Sequence, residues 1–96
     1  MNAGADWWRS VHELSLALET CRIAELRAEP RPASAVRTVA VEVGADSGIE
    51  VENFRFCLEA LLGHPPFAGA RLELLPGSGD DLRVTYLEVD DGSPDD

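Results

Sequence analysis

The stretch AVRTVAVEVGADSGIEVENFRFCLEALLG, residues 35–63, decides the fold class. Its opening run alternates, with Arg37, Val39, Val41 and Val43 on one side and Val36, Thr38, Ala40 and Glu42 on the other. The run is rich in β-branched side chains, which suit a pleated, half-buried surface, so a strand is expected over 35–43. Gly44 to Gly48 supplies turn chemistry. Beyond it Val51, Phe54, Cys57, Leu58 and Leu61 recur at three- and four-residue steps, the spacing of an amphipathic helix ending near Gly63. Pro65 and Pro66 enforce that end, because proline drives the residue before it out of the helical region.

Upstream, Leu14, Ala17, Leu18, Cys21 and Ala24 form a second helical stripe, with Glu19, Arg22 and Glu25 available for the wet side. Ser10 is the expected N-cap, with Glu13 completing a capping box, and the helix should stop before Pro30. Downstream, 70–75 alternates as a second strand, Pro76 to Asp81 carries dense turn chemistry, and Leu82 to about Val89 makes a third strand. The apolar phase changes near Thr85 and Tyr86, which points to a bulge or an edge position. The last two strands are expected to form a hairpin. The expected architecture is α+β, in the order α-β-α-β-β, with two helices packed on one face of a three-stranded mixed sheet. Residues 1–10, with Trp7 and Trp8, read as an N-terminal extension, 11–90 as the domain, and 91–96 as an acidic disordered tail.

Ninety-six residues suffice for one modest core. No long apolar run and no signal-peptide pattern is present, so a cytoplasmic protein is expected. Eighteen acidic against eight basic residues, all of them Arg, leave a formal charge of −10, which repels phosphate backbones and anionic membrane surfaces. Neither nucleic acid nor membrane is an expected partner. Cys21 and Cys57 stand alone, with no CxxC pair, so a zinc site is not expected and both read as small buried hydrophobes. His64, in Gly-His-Pro-Pro, reads as a loop histidine. Nucleophile elbows, glycine-rich phosphate loops and H-E-x-x-H are all missing from the sequence, so a binding protein is expected and not an enzyme.

The blocks HELSL (12–16), VAVEVGADSGIE (39–50), RFCLEAL (55–61), FAGARLEL (67–74) and DDLRVTYLEV (80–89) occur in one order. Together they resemble the HypA/HybF family of nickel metallochaperones used in hydrogenase maturation. The resemblance implies nickel(II) as transient cargo, passed with a HypB-type GTPase to the hydrogenase large subunit, and the possibility of a homodimer. It also implies metal-site roles for His12, for the adjacent Glu13, and for Glu50 at the mouth of the second helix. Imidazole is a suitable donor for a divalent late transition metal, and nickel with nitrogen donors adopts planar geometry.

Two features depart from the family pattern. Members carry the His-Glu pair directly after the initiator methionine, so that the terminal amine and backbone amides join the imidazole; here ten residues precede Val11, and initiation at position 11 would restore Met-His-Glu. Members also carry a zinc-binding subdomain with two CxxC pairs where this chain has Pro76 to Asp81. The alternative expectation is an interaction module that binds no metal and docks on a hydrogenase or maturation protein through the first helix, with Trp7 and Trp8 as anchors.

Overall fold

The computed structural model describes the backbone of residues 7–90 and the side chains of residues 12–90. The elements are α1 (Trp7–Ala28), a 3-10 turn (Ala33–Ala35), β1 (Val36–Gly44), α2 (Val51–Leu62), β2 (Arg71–Gly77) and β3 (Leu82–Val89). This is the α+β arrangement in the order α-β-α-β-β, and the expected tail over 91–96 lies outside the described residues.

The β-branched run becomes the middle strand of the sheet, in the order β2-β1-β3. β1 pairs in parallel with β2, from Thr38 opposite Arg71 to Gly44 opposite Gly77, and antiparallel with β3, so the sheet is mixed. A central strand is buried on both faces, which explains why apolar residues dominate it. Val39, Val41 and Val43 join Phe54, Leu58 and Leu62 of α2 in the core. On the other face the hydroxyl of Tyr86 bonds to the carboxylate of Glu73. Both residues are register partners of Ala40, so their bridge lies across it and Ala40 is fully buried.

The register corrects one expectation and bears out another. Val36 belongs to the helix-facing core with Val39, while Arg37 is exposed, because the pairing with β3 slips between Val36 and Thr38. A bulge there changes which side a residue faces. The second slip lies between Ala40 and Val41, opposite Tyr86 and Val84, so Thr85 is the extra residue and the bulge expected near Thr85 and Tyr86 is present on an edge strand.

β2 and β3 do not form the expected hairpin. They flank β1, and Ser78–Asp81 crosses over its end, where Gly44 N, Ala45 N and Asp46 N donate to the carbonyls of Asp81, Gly77 and Gly79 at 2.8, 2.9 and 2.7 Å. Among the described residues β1 is the only strand with enough apolar residues to be buried on both faces, so it takes the centre and the last two strands part around it. The crossing is tight: a Cβ on Gly44 would lie 2.4 Å from the Gly79 carbonyl oxygen.

Both helices pack on one face of the sheet, touching each other, α1 lying toward β3 and α2 toward β2. The buried stripe of α1 is Glu13, Ala17, Thr20, Ala24 and Ala28, while Leu14 and Leu18, expected inside, are 41% and 51% exposed. Small side chains let α1 approach its neighbours, and the larger apolar residues of α2 fill the space; burying each Phe or Leu contributes about 1.5–3 kcal/mol. Thr20 satisfies its hydroxyl by donating to Leu16 O at 2.7 Å. Ser10 lies inside α1, so the helix begins before the expected cap. Arg27 and Arg31 donate to the carbonyls of Val84 and Asp90 at 2.7 Å, tying the end of α1 and the residues after it to β3 and its end.

Candidate metal site

His12 and Glu13 stand next to each other on α1, but a helix turns consecutive residues about 100° apart, and their fates differ accordingly. His12 is exposed, whereas Glu13 is 2% exposed and points into the seam between α1 and the start of α2. Its Oε2 accepts the backbone N–H of Glu50 at 2.9 Å, and its Oε1 accepts Nδ2 of Asn53 at 3.1 Å. A buried carboxylate has to be satisfied by donors, and here the first turn of α2 supplies both.

Glu50 is the N-cap of α2, its Oε1 accepting Asn53 N at 2.9 Å. A carboxylate at that position also complements the positive end of the helix dipole. Glu50 is exposed, so part of its carboxylate faces solvent. The three residues form a closed ring of hydrogen bonds, Glu13 to Glu50 to Asn53 and back, that joins the two helices. The expected capping box at Ser10 does not account for Glu13, whose carboxylate serves the other helix.

Of the three residues singled out by sequence, Glu13 and Glu50 are brought into contact, while His12 adjoins only Glu13 in the chain and its side chain is exposed. Asn53 was not singled out, although the spacing Glu50-Val51-Glu52-Asn53 is that of a helix cap and its third residue. Among the described residues, no three His, Cys, Asp or Glu side chains converge as a metal-holding group. Neither Glu13 nor Glu50 takes part in a salt bridge among the described residues.

The two thiols are half-buried and pack against the core. Burial, and then the charge of Glu25, pushes the Cys21 thiol up to about 11. Burial, and then Glu13, raises that of Cys57. Neutral thiols are poor nucleophiles and poor metal ligands. His64 is exposed, and its Nδ1 lies 2.8 Å from Ala60 O, an ordinary bond for a residue just past a helix end. Among the described residues no helix is long and apolar enough to cross a membrane.

Comparison with known proteins places this geometry in context. The family model described as "HypA: Hydrogenase/urease nickel incorporation, metallochaperone, hypA" matches residues 11–80. The chain is 38% identical over 69 residues to the hydrogenase maturation factor HypA of Bradyrhizobium sp. (strain ORS 278), covering 72% of this chain and 61% of that protein. It is 39% identical over 69 residues to the factor of the same name from Azotobacter vinelandii, covering 70% and 61%. With that of Rhodopseudomonas palustris (strain BisA53) it shares 32% identity over 113 residues, 83% of this chain and the whole of that protein. The chain thus spans about three fifths of the length of the first two relatives.

Proposed function

The chain belongs to the HypA family, and from that premise we propose that it is a nickel-binding, metallochaperone-like protein that delivers nickel to the large subunit of a nickel-iron hydrogenase. Its role is delivery and not turnover. A HypB-type GTPase is its partner in the transfer, which takes place in the cytoplasm, and a homodimer is compatible with the role.

The observation that supports this reading is the hydrogen bond by which Glu13, the chain neighbour of an exposed His12, holds the backbone of Glu50. In the proposed site His12 supplies an imidazole nitrogen and Glu50 the part of its carboxylate that does not cap α2. Glu13 acts through Glu50, since it is almost fully buried and both its oxygens already accept hydrogen bonds. α1 begins at Trp7, so the amides of His12 and Glu13 lie past the first turn, where helical carbonyls accept them. Side chains therefore hold the ion in this form of the chain, with water completing the coordination, and such a site is weak and open, as a cargo site needs to be.

Calorimetric titration of the metal-free protein with Ni(II) tests the reading. Binding is expected, and His12→Ala should weaken it by about tenfold or more, the loss of one first-row metal ligand. Absence of nickel binding, or an unchanged affinity in His12→Ala, would leave a docking module in place of a metallochaperone.

A further inference from the structure

We propose that the free edge of β3 is an interface between two copies of this chain, which pair antiparallel about a two-fold axis between Thr85 and Tyr86 and join their sheets into one. β3 is an edge strand, bonded to β1 on one side only. Such a strand leaves a row of backbone N–H and C=O groups unpaired, and a second strand is the partner those groups fit. Among the described residues Arg27 is the only side chain bonded to the backbone of β3, at Val84 O. Pairing of this kind requires no metal, so it stands apart from the nickel site proposed above.

What selects a second copy as the occupant is the strand itself, LRVTYLEV over 82–89. Read from either end it gives an apolar residue, a charged one and an apolar one, with Arg83 matched by Glu88. In an uninterrupted strand Leu82 and Val89 would lie on opposite faces, because side chains alternate. The bulge at Thr85 removes that mismatch: Leu82, Val84, Leu87 and Val89 all pack on the core, while Arg83, Tyr86 and Glu88 are exposed. An antiparallel pair about this axis therefore sets Leu82 against Val89 of the second copy, Val84 against its Leu87 and Arg83 against its Glu88, like face to like face. Two-fold symmetry makes each of these contacts twice. Among the described residues Glu88 has no ion pair, and Arg83 holds only Glu42, with its side chain 63% exposed. The seam is locally neutral in a molecule of charge −10, so two copies can approach there without the repulsion met over the rest of the surface. The other edge fits less well, since Pro76 removes an N–H from β2 and Glu73 is already bonded to Tyr86.

Sedimentation equilibrium of the metal-free full chain over a range of concentrations is the test, with far-UV circular dichroism to establish folding. A single strand edge buries little surface, so a weak, reversible dimer is expected. Glu88→Arg sets cation against cation at both ends of the seam, and Arg83→Glu sets anion against anion; each should raise the dimer dissociation constant about tenfold or more. Combining Arg83→Glu with Glu88→Arg restores opposite charges and should bring the constant back to within about threefold of wild type. A double variant that does not recover, or single variants that dimerise as wild type does, overturns the proposal. A chain that stays monomeric at every concentration overturns it too. So does a dimer that ignores the charge reversals but is broken by Leu18→Glu, on the exposed face of α1, since the contact then lies on the helices. Should a charge variant not fold, amide exchange on the wild-type protein decides instead: protection along β3 must rise with concentration while that of β2 stays fixed, and the opposite pattern rules the β3 edge out.

Discussion

At the scale of single residues, Glu13 shows how a charged side chain can become a structural part. Its carboxylate is 2% exposed and holds Glu50 N and Asn53 Nδ2. Glu13→Ala leaves two part-buried donors without their acceptor and is expected to destabilise the protein by about 1–2 kcal/mol, measured by urea unfolding. His12→Ala, at an exposed position, should stay within about 0.5 kcal/mol of wild type in the same assay. Cys21 supplies a second expectation. Its thiol is raised from 9.0 to about 11, so at pH 8 its thiolate fraction falls roughly 100-fold below that of an ordinary cysteine, and iodoacetamide labelling of the native protein should slow accordingly. The sign for stability follows from the raised value: the preference for the neutral thiol stabilises the fold below pH 9.0 and is lost as pH rises toward 11. The types and spacing of His12, Glu13 and Glu50 were readable from the chain, but the direction each faces was not. Asn53 escaped notice because an amide has no distinctive meaning until its two acceptors are in place.

At the scale of elements, period identified both α-helices and the three strands among the described residues, and close packing then altered their faces. The stripe read on α1 included Leu14 and Leu18, yet the buried line runs through Ala17, Thr20, Ala24 and Ala28. Hydrophobicity alone favours the leucines; contact distance favours the alanines, because α1 must share one sheet face with α2. The apolar positions of α2 were easier to read, since Phe54 and Leu58 are large, apolar and without a competing face. The connection between β2 and β3 offers an element-scale test. Gly44→Ala would place a methyl group 2.4 Å from Gly79 O, which accepts Asp46 N, and 3.0 Å from Asp81 N. The crossing would have to move, and a loss of about 2–3 kcal/mol is expected in urea unfolding. Gly48→Ala meets no atom but sits at a φ of 75°, so its cost should be smaller, about 1 kcal/mol.

For the molecule as a whole, a charge of −10 attracts divalent cations, and the proposed site would draw on that field. The helix that runs through His12 makes the position of the chain start a physical variable. A variant whose initiator methionine replaces Val11 frees the amine and amides beside His12, and it is expected to bind nickel about tenfold more tightly, with the visible absorption of a planar complex. Equal affinity in the two forms would mean that the amine takes no part. The order of elements, the mixed three-stranded sheet and the acidic character followed from the sequence itself, because period, turn residues and charge are local or additive properties; the family followed from the resemblance of five sequence blocks. The central place of β1, the parting of β2 and β3 around it, the rotation of α1 onto its alanines and the ring of Glu13, Glu50 and Asn53 were decided only in three dimensions. Each depends on residues far apart in the chain competing for one buried surface, and no local pattern records which of them wins.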